Sequence, residues 1–372
     1  MSSVSHSQTV ALQHRRACCI IGAGYSHVAG LPLTKDLLAA EAALLSDSAA
    51  VRLQAVWEDF AAWKQRNPSG DTEEYLAELY QAVSSVAPPT RRTPISAIES
   101  NGIPLFRAAG ITVTRPRVPF SWAVELIAAT IATPHGPDRA PINWRYAARV
   151  TFPTYCDAHV AFWHEITALF QSVSVVTTNY DFLIERALRH RPMKRGFGPG
   201  CCYGGLATPQ VLRGGQLPWP RQSTWIEMEG PIRVHKLHGS LNWCWRDGRL
   251  ELYQDPRPVF RLGGEAARVP PVREKDIPAW LGPVWHSAEE ALSRAEVWIV
   301  CGYSLPRYDT AMYDLLQRVA RGNLNHILVL DPHVSTVCPR YASLAPRAEV
   351  HRLPGLPDGT GCLRGVVERM HA

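Results

Sequence analysis

The sequence predicts an α/β protein: a doubly wound, mostly parallel sheet with a mostly helical insertion. Two observations carry that expectation. Short apolar runs at residues 18–21, 173–178, 297–301 and 327–330 have the length and β-branched content of buried strands, and helical patterns separate them. Each run also stops at Gly, Ser, Asn, Asp or His, which gathers the polar carboxyl ends of parallel strands on one rim.

The first run leads into Gly22 and Gly24, then Ser26, and a periodic segment continues through Leu37 and Leu38. Strand, tight turn and helix are expected there. Glycines let the backbone approach a ligand without a Cβ in the way, and a helix start offers unpaired N–H groups, so a phosphate-bearing ligand is the natural occupant. A dehydrogenase fingerprint needs glycine where His27 stands. It also needs an acidic residue on a second strand about 20 positions on, where Glu41 falls on a helical segment. The lysine and hydroxyl residue of an NTPase phosphate loop are missing as well. By itself the glycine pair also fits a turn with no ligand.

Residues 46–172 read as a helical insertion. Val56, Phe60 and Trp63 recur at helical spacing, Asp71 can cap a helix over 72–83 with Glu73 and Glu74 in its first turn, and Trp122, Leu126 and Ile127 line another. Prolines between these segments, among them Pro88, Pro89, Pro104 and Pro116, exclude a coiled coil. A helix over 157–170 then feeds the second strand, which ends at Asn179-Tyr180-Asp181, in the crevice position of an open α/β sheet. Phe182, Ile184 and Leu188 continue as a helix.

Residues 191–231 are rich in Gly, Pro and Arg and read as a long surface excursion or lid. Ile232, Val234 and Leu237 form the next strand, delivering His238-Gly239-Ser240, and residues 241–245 continue as a strand or hairpin. A Pro-rich crossing at 256–283 precedes a short helix over 289–295. The strand at 297–301 ends at Gly302-Tyr303-Ser304-Leu305-Pro306, Asp309 begins a helix, and the strand at 327–330 stops at Asp331. Residues 350–353 add an edge strand.

The totals bound the rest. The 372 residues carry a net charge of +6 with both signs interspersed, which argues for solubility and gives no footprint for nucleic acid. Nine cysteines include the pairs Cys18-Cys19 and Cys201-Cys202 but no C-x-x-C, so neither a zinc knuckle nor a redox dithiol has its spacing, and no zinc is expected. Reduced, buried thiols in a cytoplasmic protein are expected instead. No apolar run reaches the length of a membrane span. Residues 1–16, Ser-rich and basic, are expected as an N-terminal arm ahead of a domain over 17–372.

The strand ends together resemble the sirtuin-like catalytic domain, in its bacterial antiphage-defence branch. The matching stretches are Gly22-Ala23-Gly24-Tyr25-Ser26 with Ala29-Gly30-Leu31-Pro32, then Thr177-Thr178-Asn179-Tyr180-Asp181, Lys236-Leu237-His238-Gly239-Ser240, and Gly302-Tyr303-Ser304-Leu305-Pro306 with Asp309, preceded by Pro270-Pro271. The resemblance implies a Rossmann-like fold and an NAD site. Gly22, Ala23, Gly24 and Ser26 would hold the pyrophosphate, with Thr178 also among the cofactor-binding residues. Asn179 and Asp181 would hold the nicotinamide and its ribose, and His238 the ribose hydroxyls or the attacking water. Gly302 and Ser304 would hold the adenosine half, with Asp331 near the adenine ribose.

Departures from the family narrow the activity. Sirtuin deacylases carry an acid-aromatic-arginine run after the glycine-leucine-proline turn and four zinc cysteines, whereas Leu33-Thr34-Lys35-Asp36 stands here and the cysteine spacing is absent. The defence branch, which lacks the zinc module, hydrolyses NAD to nicotinamide and ADP-ribose. That activity is the expectation, with NAD as substrate. An NAD-dependent protein deacylase and a non-catalytic subunit sensing NAD or ADP-ribose are the alternatives. The resemblance also implies control by self-assembly into a homo-oligomer or by a separate subunit, a HerA-type ATPase or a short Argonaute.

The residue types suit the chemistry. A cationic pyridinium leaves neutral, so its departure needs no acid, and positive charge moves to the ribose. An amide, Asn179, can hold the carboxamide, and a carboxylate, Asp181, can face the developing charge. His238, an imidazole with an ordinary pKa near neutrality, can take a proton from water or a ribose hydroxyl, a role worth on the order of a hundredfold or more. His27, Tyr25 and Tyr180 are expected as pocket walls, and Lys236 as a surface or supporting cation.

Overall fold

The computed structural model describes residues 15–29, 31, 33, 37, 38, 48–84, 118, 120–132, 157–189, 201–206, 210–212, 231–246, 249–253, 265–269, 277–306, 309–355 and 362–370. The elements begin with β1 (Arg16–Ile21), α1 (Ala23–His27), α2 (Ser48–Arg66), α3 (Thr72–Ser84), α4 (Phe120–Ala132), α5 (Asp157–Leu169), β2 (Ser172–Thr177) and α6 (Leu183–Arg189). Then come β3 (Cys201–Tyr203), β4 (Gln210–Leu212), β5 (Ile232–Lys236), β6 (Gly239–Arg246), β7 (Arg249–Tyr253) and β8 (Glu265–Arg268). The last are α7 (Gly282–Arg294), β9 (Val297–Cys301), α8 (Thr310–Val319), β10 (His326–Leu330), α9 (Val334–Leu344), β11 (Glu349–Leu353) and α10 (Cys362–Arg369). The chain divides into two compact units: Met1–Leu31, Pro153–Val269 and Asp276–Ala372 form one, and Pro32–Phe152 with Pro270–Lys275 the other.

The first unit is built on a seven-stranded sheet in the order β11-β10-β9-β1-β2-β5-β3. Every neighbouring pair is parallel. Strands covered on both faces must be apolar throughout, and β9 is buried at every position and β1 at all but Arg16. Helices α5 and α7 both pack on β2, and α9 covers β10 and β11. The result is the Rossmann-like α/β fold. A second sheet, β4-β7-β6-β8, grows directly from the end of β5, with β6 and β7 as an antiparallel hairpin.

Topology locates the crevice. From β1 the chain moves to β2 on one side, and from β9 it moves to β10 on the other, so the winding reverses between β1 and β9. Register then aligns the strand ends: Leu353, Leu330, Cys301, Ile21, Thr177 and Lys236 stand side by side across the sheet.

Several elements differ from expectation. The helix after β1 stops at His27, and Leu37 and Leu38 lie buried in a turn, because apolar burial recurs there without helical backbone. The expected short helix before β9 starts earlier, at Gly282, with Pro283 in its first turn where a missing N–H is harmless. Strand β3, inside the predicted excursion, is wholly buried, three residues being too short to show a period. Pro339 lies inside α9, which conceals that helix from sequence rules. The expected N-terminal arm, apart from Arg15 and Arg16, the rest of the excursion beyond 201–206, 210–212 and 231, and Gly30, Pro32, Thr34, Lys35, Asp36, Pro270 and Pro271 lie outside the described residues. No helix among the described residues is long and apolar enough to cross a membrane.

The second unit holds α2, α3 and α4, with α4 packed on the other two. Phe60 stacks on Trp63 at a centroid separation of 6.0 Å, and Tyr75 meets both edge-on at 5.1 and 5.6 Å, so Phe60 and Trp63 are core side chains as their helical spacing predicts. Asp71 Oδ1 accepts the N–H groups of Glu73 and Glu74, both at 2.9 Å, the predicted N-cap.

Candidate active site

The glycine turn after β1 and the loop after β9 are packed into one another. Gly22 N–H donates to Cys301 O at 3.0 Å, and Gly24 N–H donates to Gly302 O at 2.9 Å. A Cβ on Gly22 would stand 2.5 Å from Gly302 O, and one on Gly24 would stand 2.8 Å from Gly302 Cα. Gly302 takes φ of +62°, and a Cβ there would meet Tyr25 N at 2.2 Å. Glycine is therefore required here by backbone meeting backbone. The N–H groups of Gly22 and Gly24, in the turn expected to approach a phosphate, are engaged with β9 and its loop. Ala23, half-buried, opens α1, which at five residues makes little more than one turn.

Asn179 joins the ends of β1 and β2. Its Nδ2 donates to Gly22 O and to Ser26 Oγ, both at 2.9 Å, and Ser26 Oγ donates to Asp181 Oδ2 at 2.7 Å. All three side chains are buried. Because both amide donors are engaged, the amide has its oxygen left to offer a ligand. Asp181 Oδ1 accepts Leu183 N–H at 2.9 Å, so the same carboxylate caps α6 and holds Ser26. Thr177, which sequence reasoning passed over, orients this segment: its Oγ1 donates to Ile21 O at 2.9 Å and accepts Asn179 N–H at 3.0 Å. Thr178, half-buried, lies between them.

His238 stands on the turn between β5 and β6, buried, with its ring 6.2 Å from that of Tyr180. The two loops are tied together. Leu237 N–H donates to Thr177 O at 2.9 Å, and Leu241 N–H donates to Tyr180 O at 3.1 Å. Lys236 Nζ donates to Asp181 O and lies 3.0 Å from Glu185 Oε1. Expected as a surface or supporting cation, Lys236 is fully buried, and Glu185 on α6 is its counter-charge. Tyr203 on β3 donates to the same Glu185 oxygen at 3.0 Å, and burial first, then that carboxylate, pushes its phenol pKa well up. Glu185 was legible as a lone acid in the apolar run Phe182-Leu183-Ile184-Glu185, four residues after Asp181.

The residues expected on the adenosine side lie on the other flank. The loop Gly302-Tyr303-Ser304-Leu305 is braced by α9: Tyr341 OH donates to Tyr303 O at 3.1 Å, and Arg340 Nη1 donates to Ser304 O at 2.8 Å. The Ser304 side chain is exposed. Leu305 takes φ of 52°, a left-handed conformation that costs a leucine about 1 kcal/mol or more. Asp331, buried after β10, accepts His333 N–H at 2.7 Å through Oδ1. Burial, with Asp331 adding its charge, pushes the Cys301 thiol well up.

Tyr25 and His27, expected as pocket walls, are placed otherwise. Tyr25 is fully buried among His159, Phe162 and Trp163, with Trp163 Nε1 donating to its hydroxyl at 2.8 Å, while the His27 ring is exposed beside Leu31 O at 2.8 Å. His159 carries an N–H to Tyr25 O at 2.8 Å, and burial holds its pKa below the usual imidazole value.

Comparison with known proteins adds the following. No protein-family model and no curated protein matches the chain. Solved structures similar to it are Sir2 proteins. A Sir2 enzyme studied for mechanism and regulation aligns at 14% identity with a TM-score of 0.43, over 98% of this chain and 97% of that one. A mutant Sir2 homologue in complex with 2′-O-acetyl-ADP-ribose aligns at 14% identity with a TM-score of 0.42, over 100% and 96%. A Sir2 homologue in complex with NAD aligns at 15% identity with a TM-score of 0.38, over 99% and 94%.

Proposed function

We propose that this protein is an NAD hydrolase, releasing nicotinamide and ADP-ribose, in the manner of the antiphage-defence enzymes its strand-end motifs resemble. The observation that carries the reading is the bonded set Asn179–Ser26–Asp181 at the carboxyl ends of β1 and β2, beside the point where the winding reverses. An amide held through both its donors suits a nicotinamide carboxamide, and a carboxylate two residues on suits the positive charge that grows on the ribose as the C–N bond breaks. Water adds to that ribose carbon and loses its proton to His238, whose turn is bonded to the Asn179 segment. Gly302, Ser304 and Asp331 then flank the adenosine half, while Gly22, Ala23, Gly24 and Ser26 line the pyrophosphate path, with Thr178 also contacting the dinucleotide.

The purified chain should convert NAD to nicotinamide and ADP-ribose. Asn179→Ala and His238→Ala should each reduce turnover by about a hundredfold or more. Undiminished turnover in both variants defeats the assignment. Product mass decides between classes, since O-acyl-ADP-ribose formed only with an acyl-lysine peptide identifies a deacylase. Tight NAD binding without nicotinamide release identifies a sensing subunit. Among the described residues, seven cysteines, all buried, sit on β1, β3, β6, β9 and α9.

We further propose that activity is gated by assembly, either of copies of this chain or with a HerA-type ATPase or short Argonaute. Turnover by the purified monomer equal to that of every reconstituted assembly counts against gating.

A further inference from the structure

At the opposite end of the sheet from the proposed NAD site, three side chains of β10 and β11 converge. His326 opens β10 and is the register partner of Glu349, which opens β11, and His351 follows two residues later, on the same face of the edge strand as Glu349. The pleat brings all three together. His326 Nδ1 lies 3.3 Å from His351 Nε2, Glu349 Oε2 lies 3.6 Å from the first nitrogen, and the same oxygen lies 3.7 Å from the second.

A single proton can bridge one of these edges, whereas a cation satisfies all three at once. The three separations define a triangle whose centre is about 2.0 Å from every corner, so a cation slightly off that plane lies within the about 2.0–2.2 Å that zinc makes to imidazole nitrogen and carboxylate oxygen. We infer that His326, Glu349 and His351 form a binding site for a divalent transition metal, zinc by ligand type, that clamps the edge strand β11 to β10. Two imidazoles and one carboxylate leave a fourth position for water, on the side where Glu349 is 67% exposed and the histidines are 13% and 16% exposed. The expectation of no zinc rested on cysteine spacing, and this set contains no cysteine. Four residues of β10 lie between His326 and the rim at Asp331, about 16 Å of strand, so the ion would be structural and independent of NAD cleavage.

The full-length chain, stripped with a chelator and dialysed, should be titrated with zinc alone by calorimetry, with magnesium as control. One zinc per chain is expected, and magnesium should not bind, because two of three ligands are imidazoles. Losing a hydrogen-bond partner of a metal ligand costs about 10- to 100-fold in affinity, so Glu349→Gln and His351→Ala, each removing a ligand itself, should cost at least that. Glu349 is exposed, so Glu349→Gln decides the matter even if His351→Ala does not fold. Cobalt in place of zinc should give visible bands of a tetrahedral site without sulfur charge transfer. No stoichiometric zinc binding, binding that survives Glu349→Gln, or a thiolate-type cobalt spectrum overturns the proposal.

Discussion

Ser26 Oγ donates to Asp181 Oδ2 at 2.7 Å, linking the turn after β1 to the cap of α6 across 155 residues of chain. The same oxygen accepts one of the two Asn179 donors, so the serine sets the plane of the amide. Ser26→Ala removes two buried hydrogen bonds and should cost about 1–3 kcal/mol of stability, and it should slow NAD cleavage by on the order of ten- to a hundredfold. Steady-state kinetics should place the loss in kcat. A kcat equal to the parent's would mean that the serine does not position the amide.

Backbone contact between the glycine loops predicts sharply different outcomes for chemically identical changes. Gly302→Ala combines φ of +62° with a Cβ 2.2 Å from Tyr25 N, and Gly22→Ala puts its Cβ 2.5 Å from Gly302 O. Each should destabilise the first unit by about 2 kcal/mol or more in urea unfolding. Gly365→Ala, inside α10 with nothing nearer than Arg369 Nη1 at 3.8 Å, should stabilise by roughly 0.5–1 kcal/mol.

Lys236 and Glu185 are 0% and 1% exposed and lie 3.0 Å apart directly behind Asp181. Lys236→Met leaves a buried carboxylate without its cation and should cost about 3–5 kcal/mol. Adding Glu185→Gln should recover part of that loss, and a double-mutant cycle in chemical denaturation measures the coupling. Coupling near zero would show that the pair is not held together by charge.

Acid should weaken the fold through buried imidazoles. Burial lowers the pKa of His159, against the opposing pull of its bond to Tyr25 O and of Asp181, and burial likewise lowers that of His235. Unfolded, both titrate near the ordinary value of 6.5. Below that pH the unfolded chain binds protons that the folded one refuses. Stability is thus full above about pH 6.5 and declines as pH falls, by up to about 1.4 kcal/mol per pH unit for each group. His159→Gln keeps a donor for Tyr25 O and removes one titration, so its unfolding free energy should fall less steeply with acid. An unchanged slope would show that His159 is not excluded from protonation by burial.

Strand content and the polar rim were legible because both follow from local pattern. An apolar run such as Val297-Trp298-Ile299-Val300-Cys301 can lie only in the middle of a covered sheet, and the residue after it is by geometry at a carboxyl end. Helices were read less well where a local rule conflicts with packing, as in α9 with its internal Pro339, or where apolar spacing outlasts the helix, as at Leu37 and Leu38.

Partnership was decided elsewhere. Gly22 and Gly24 read as a phosphate turn, and the fold sets them against Gly302. Lys236 read as a surface or supporting cation, and the fold buries it against Glu185. His326 and His351 drew no attention in the chain, being 25 residues apart, and lie 3.3 Å apart in space. Periodicity and turn chemistry act over a few residues and are written in the sequence. Which strand ends become neighbours depends on sheet order and register, set by the sum of many weak long-range contacts, and so only the tertiary structure decides which polar groups meet.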